Sequence, residues 1–203
     1  MIGPFVLVSY PPATIPFMLK RRELPGWVRD EMESLAQTMP EEIQLTINLA
    51  EIEQKLDTTF GFLRNEKLKT WLIEDISACV SWLSSVSNTT GFNIKLEVIT
   101  ERMCPKFHVD RVPMRLLCTY VGPGTEWTDA NTAYSVNFEE PFDPENISQV
   151  PSEGILIFSG AHGVNSLAPL WHRSPDVLPN QKRLLLCIDV AEQIYPAQDN
   201  FRS

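Results

Sequence analysis

From Phe92 onward the apolar residues of this chain stop recurring every three or four positions and start recurring every two. In "FNIKLEVIT" (92–100), Phe92, Ile94, Leu96 and Val98 fall on one face of an extended strand. Just before it, "NEKLKTWLIEDISACVSWLSSV" (65–86) sets Leu68, Leu72, Ile76, Cys79, Leu83 and Val86 at helical steps, and the stretch from Asn88 to Gly91 ends that helix. The change of period divides the chain into a helical first half and a strand-rich second half. Sixteen prolines against nine glycines argue further against an all-helical bundle.

Further strands are predicted at 114–120, 132–138, 154–159 and 183–189, with Pro, Gly and Asn corners and no helical pattern between them. That arrangement predicts an antiparallel barrel or a double-sheet jelly roll. In the first half, "IPFMLKRR" (15–22) reads as a short strand, and "PGWVRDEMESLAQ" (25–37) as a helix opened by Pro25. The stretch "PEEIQLTINLAEIEQKL" (40–56) fits either period, and its glutamates and length favour a helix. No linker or repeat divides the chain. The expectation is one α+β domain over 1–203, with a mainly helical part (1–90) and a β-barrel core (91–190).

The formal charge of −9 over 203 residues lacks the basic footprint of a nucleic-acid-binding domain and argues against an anionic membrane surface. The apolar N-terminus has no basic n-region, Pro11-Pro12 interrupts it, and no run reaches the length of a membrane span. A cytoplasmic protein is expected. Its four cysteines, scattered without CxxC spacing, are expected as reduced thiols. Nothing in the sequence sets an oligomeric state.

Chemistry concentrates in "CPKFHVDRVPMRLLCTYVGPGTEW" (104–127). On an extended strand His108 and Asp110 project to the same face and supply two adjacent ligands of a two-histidine, one-carboxylate metal triad. A third ligand must come from a distant strand folded back. "SEGILIFSGAHGVNSLAPLWHRSP" offers His162 and His172, and Lys182 and Arg183 stand ten and eleven residues beyond the latter.

The order of strand, HxD, strand ending in tyrosine, Gly-rich turn, distal histidine and basic residue resembles the Fe(II)/2-oxoglutarate-dependent dioxygenases, above all the prolyl-hydroxylase-like branch. The resemblance covers roughly 92–190. Four stretches, "FHVDRVPMRLLCTYVGPGTEW", "GILIFSGAHG", "LWHRSP" and "RLLLCID", are similar to an uncharacterised, mainly bacterial family, domain of unknown function family 1826. The first resemblance implies a double-stranded β-helix, a jelly-roll or cupin-like barrel, buttressed by N-terminal helices. It implies His108, Asp110 and His172 as iron ligands, with Trp171 shielding the metal, and a basic residue, Lys182 or Arg183, holding the distal carboxylate of 2-oxoglutarate. A buried dicarboxylate needs such a cation, and a planar Arg answers it bidentately. Tyr120 is a further candidate for the cosubstrate carboxylate, and Arg115 an alternative anion partner. Glu126 and Trp127, after the "GPG" turn, are candidates to line the mouth. His162 is a candidate to face the substrate, and Arg173 and Ser174 to orient the distal histidine. The implied function is oxygenation of a small molecule or peptide. The superfamily's usual Arg-x-Ser pattern is absent, which keeps a second reading open: a non-catalytic zinc-binding accessory or sensor protein on the same barrel, with Cys104 or His162 completing a closed site.

Overall fold

The computed structural model describes residues 6–8, 17–20, 22–163 and 168–191. In chain order the elements are β1 (Val6–Val8), β2 (Phe17–Lys20), α1 (Gly26–Thr38), β3 (Glu42–Asn48), α2 (Ile52–Thr59), α3 (Glu66–Ser87), β4 (Gly91–Ile99), β5 (Met114–Val121), β6 (Glu126–Thr128), α4 (Ala130–Asn137), β7 (Ser148–Gln149), β8 (Ile155–Ser159), β9 (Trp171–Arg173) and β10 (Arg183–Val190). They build an α+β fold with two antiparallel sheets. The larger runs β1-β2-β8-β5-β10-β4-β3 and the smaller β7-β6-β9. His108 extends the smaller sheet through an isolated antiparallel bridge to His172.

α3 forms where the period predicts it. Asn65 caps its start by accepting the Leu68 N–H at 3.2 Å. Asn88 ends it in the left-handed conformation, φ 53°. The stripe Leu68, Leu72, Ile76, Cys79 and Leu83 is buried in the larger of two apolar cores, where α1 and α3 cover one side of β5 and β10.

Two expectations are corrected. The stretch 40–56 is not one helix: β3 spans Glu42–Asn48, and α2 begins only at Ile52. Ile43, Leu45 and Ile47 alternate into the helix-side core, because β4 offers them a ladder in the register Ile47↔Phe92 and Leu45↔Ile94. The helical spacing of Ile52 and Leu56 is used, but only from α2 onward. The expected strand at 132–138 is helix α4 instead. Asp129 sets it by accepting the N–H groups of Asn131 and Thr132 at 2.8 and 3.0 Å, an N-cap that outweighs the β-prone Thr, Tyr and Val that follow. The expected strand at 15–22 is described only over Phe17–Lys20, as β2; residues 15, 16 and 21 lie outside the described residues.

Alternation sorts the central strands of the larger sheet onto two sides. Phe92, Ile94 and Leu96 of β4, Leu116, Cys118 and Tyr120 of β5, and Leu184, Leu186 and Ile188 of β10 face the helices. The intervening residues face the smaller sheet. Ile99, Leu117, Leu185 and Cys187 join Trp127, Leu156, Phe158 and Leu170 in a second core. Among the described residues no helix is long and apolar enough to cross a membrane.

Candidate metal centre

His108 and His172 are separated by most of the second half of the chain, yet each donates its backbone N–H to the other's carbonyl at 3.0 Å. β9 is anchored in turn on β6 through Trp127↔His172. Two further devices hold the strand segment carrying His108 and Asp110. The Asn137 carboxamide on α4 accepts the Phe107 N–H at 2.9 Å and donates to its carbonyl at 2.7 Å, completing pairing where no strand is available. From the other side, Ala161 donates its N–H to the Asp110 carbonyl at 2.7 Å. That approach requires Gly160, where a Cβ would lie 2.3 Å from the Val112 oxygen and 2.6 Å from the Asp110 oxygen.

The side chains of His108, Asp110 and His172 converge, with their ligand atoms all within 4.8 Å of one another. His172 Nε2 stands 3.0 Å from Asp110 Oδ2, and His108 Nε2 stands 3.4 Å from Oδ1. The imidazole rings are 4.6 Å apart, and His172 packs on Phe158 at 4.7 Å. Each Nδ1 lies 3.1 Å from a backbone carbonyl, that of Lys106 for His108 and that of Leu170 for His172. A carbonyl only accepts, so both Nδ1 atoms carry a hydrogen. In the neutral ring both Nε2 lone pairs are therefore turned toward a carboxylate, an arrangement that needs a proton or a cation between them. The contact with Asp110 outweighs burial and raises the His108 pKa. Burial works against the Asp110 charge, but its bonds to the two histidines and the nearby Arg115 guanidinium hold it well below the usual carboxylate range.

The triad opens on a cavity of about 200 Å³ between the sheets. Its floor is the register of β4, β10 and β5, with Cys187 paired to Lys95 and Leu117, and Leu185 to Glu97 and Thr119. Arg183 also lines it and is only 1 % exposed. Its Nε donates to the Pro123 carbonyl at 2.9 Å, and one terminal nitrogen donates to Thr119 and Thr125 hydroxyls at 3.2 and 2.8 Å. Among the described residues no carboxylate bonds to it, and burial pushes its pKa down to about 10.

The other candidates are dispersed. Lys182 points away from the cavity and donates to the Ala36 carbonyl near the C-terminal end of α1, at 3.1 Å. Tyr120 is not on the cavity wall. As an even-numbered residue of β5 it faces the helices, where its hydroxyl donates to Asp75 at 2.7 Å. Arg115 does face the cavity and is paired to Asp110 and Asp189. Glu126 accepts from Arg173 at 2.6 Å, and the Arg173 guanidinium stacks 4.3 Å over Phe107. Trp127 fills the second core rather than the mouth. Trp171, next to His172 on β9, is not among the residues lining the cavity. His162 is exposed in the turn after β8, and Cys104 lines the cavity; neither belongs to the converging group among the described residues. Sequence reasoning missed Thr119, Thr125, Asn137 and Asp189. Only Asp189 carried a signal, since it shares a strand face with Arg183.

Fold and site together define an α+β protein of two antiparallel sheets with a two-histidine, one-carboxylate candidate metal centre between them. The chain belongs to the DUF1826 family, described as a protein of unknown function, whose profile matches residues 4–189. No match was found among curated proteins. Among solved structures the chain is similar to a full-length Neurospora crassa protein in complex with alpha-KG and 5-formyluracil, at 10 % identity and TM-score 0.49, covering 87 % of this chain and 74 % of that one. It is also similar to a prolyl-4-hydroxylase of Pseudomonas putida, at 11 % identity and TM-score 0.41, covering 85 % and 90 %.

Proposed function

We propose that the chain is a non-haem Fe(II)- and 2-oxoglutarate-dependent oxygenase, wound as a double-stranded β-helix, that hydroxylates a small molecule or a peptide. The winding is supported by the way the chain passes back and forth between the sheets, with β6 and β7 as one consecutive pair in the smaller. β4, β5, β8 and β10 lie in the larger sheet, while the His108 segment, β6, β7 and β9 lie in the smaller. The helices α1 and α3 then buttress the face away from the cavity.

The observation that carries the reading is the pair of imidazoles, each tethered through Nδ1 so that Nε2 is aimed at Asp110. Two neutral nitrogens and one carboxylate suit iron or another divalent first-row metal and leave further positions open. His108, Asp110 and His172 would hold it, and the bound metal would supply oxygen activation. The residues around it prepare the cavity for an acid. Arg183 would take the distal carboxylate of 2-oxoglutarate, because a desolvated guanidinium without a carboxylate gains most from one. Thr119, Thr125 and the Pro123 carbonyl hold that guanidinium in one plane. Ile99, Leu117 and Leu185 add apolar surface to the cavity wall, which strengthens the attraction.

The zinc reading keeps one observation in its favour, the soft thiol of Cys104 at the cavity wall. A closed tetrahedral site needs that fourth ligand, and Cys104 stands outside the converging group.

Anaerobic titration with Fe(II) and 2-oxoglutarate tests the proposal. A weak visible charge-transfer band is expected for the chelate, lost in His172→Ala and weakened in Arg183→Met. Tight zinc binding with no response to 2-oxoglutarate would sink the oxygenase reading and favour the accessory protein.

A further inference from the structure

Arg115 occupies a place that the triad alone does not explain. It rises from β5 beside the metal ligands, largely buried, with its guanidinium shared between two carboxylates. Nη2 donates to Asp189 Oδ2 at 2.7 Å and Nε to Asp189 Oδ1 at 2.5 Å, a fork-to-fork pair across the β5–β10 ladder. The register places the two directly opposite each other, Asp189↔Arg115, and both point to the cavity side. The remaining nitrogen, Nη1, donates to Asp110 Oδ2 at 2.6 Å. Asp189 is thus linked through one rigid planar group to the carboxylate of the candidate metal centre.

We infer that Arg115 is a positioning residue which fixes the orientation of the Asp110 carboxylate through Oδ2, the oxygen that also faces His172 Nε2, with Asp189 fixing the guanidinium in turn. This rests on reading His108, Asp110 and His172 as a metal site. A carboxylate free to rotate can offer a metal both oxygens and fill one more coordination position. One whose Oδ2 is held by a guanidinium keeps one orientation toward the two imidazoles and is less free to close both oxygens on a metal. The ladder matters because Arg115 stands on a central strand of the larger sheet, flanked by β8 and β10, whereas Asp110 lies in an irregular segment before β5. The ion pair transfers the rigidity of the sheet to the least regular of the three ligands. A lysine does this less well, since its ammonium is a compact charge on a flexible stem and lacks the planar fork that grips Asp189 bidentately while a third nitrogen reaches Asp110.

The test is anaerobic Co(II) titration of the full chain, read by affinity and by the visible d–d spectrum, with unfolding curves run in parallel. Three variants are compared: Arg115→Lys, Asp189→Asn, and the double variant Arg115→Met/Asp189→Asn, which leaves no orphaned charge on the ladder. The expected result is Co(II) binding weakened about 10- to 100-fold in the double variant, as for other outer partners of metal ligands. Its d–d spectrum should change, and Arg115→Lys should recover only part of the affinity. Folded variants that bind Co(II) within about twofold of the parent, with an unchanged spectrum, would overturn the inference while leaving the metal site standing. If the parent itself fails to bind Co(II), or His172→Ala binds equally well, the metal-site reading falls and this inference with it.

Discussion

Arg22 and Arg183 lie on opposite sides of the seven-stranded sheet, and both are largely buried. On the helix side Arg22 is closed off. It grips both oxygens of Asp75 on α3, donates to the Cys118 thiol at 3.0 Å, and shares Asp75 with the Tyr120 hydroxyl. Burial alone would lower its pKa, and these partners raise it instead. Burial pushes the Cys118 thiol up to about 11, so it accepts from Arg22 as a neutral group. On the cavity side Arg183 bonds only a carbonyl and two hydroxyls; burial pushes its pKa down to about 10, and the charge of Glu97 on the cavity wall offsets this only in part. A guanidinium paired within the fold is architecture. One with no bonded carboxylate beside a cavity keeps bonding capacity for an anion, the role proposed above for Arg183.

The contrast is broken or sharpened by substitution. Asp75→Ala strands Arg22 and the Tyr120 hydroxyl and should cost about 3–5 kcal/mol in urea unfolding. Arg183→Met should leave stability within about 1 kcal/mol, because no ion pair is lost, yet weaken 2-oxoglutarate binding roughly 30-fold or more by calorimetry. If both variants destabilise equally, the two arginines do the same work and the contrast collapses.

Smaller effects probe how the cavity side is held. Gly160→Ala forces a Cβ against the backbone of Asp110 and Val112 and should cost about 1–3 kcal/mol, with weaker Co(II) binding as a second readout. The raised His108 pKa has a definite sign. Its imidazole takes up a proton at a higher pH than an ordinary histidine, and the ring must be neutral to bind a metal. Co(II) affinity should therefore begin to fall as pH drops through that raised value, by up to about tenfold per pH unit. The fall should start nearer the ordinary histidine range in a variant whose His108 has lost its contact with Asp110. Lys182→Ala, which removes only a cap on the last turn of α1, should cost under about 1 kcal/mol and leave 2-oxoglutarate binding intact. Loss of that binding would move the anion site one residue back along the chain.

Much of this was legible because local geometry obeys short periods. The i, i+2 spacing of His108 and Asp110 puts both on one face in any extended segment, and the three- and four-residue steps from Leu68 to Leu83 need a helix wherever they fall. β6, β7 and β9 were not legible, since two or three residues carry no period. α4 was missed because one capping carboxylate at Asp129 outweighs the β-prone residues after it.

Taken alone, the sequence determined a helical part, an alternating strand part, and two of three candidate metal ligands. It also narrowed the candidate third ligand to His162 or His172, and left Lys182, Arg183, Tyr120 and Arg115 as candidate anion partners. Tertiary structure placed these candidates, since only the β9 bridge to His108 brings His172 to Asp110, and only strand parity turns Arg183 to the cavity and Lys182 toward α1. It alone turned Tyr120 to the helices and joined Asp189 through Arg115 to Asp110. The physical reason is one of range. Backbone period is a property of neighbours in sequence, whereas which residue meets which across a ladder depends on register, and register is set by partners far along the chain.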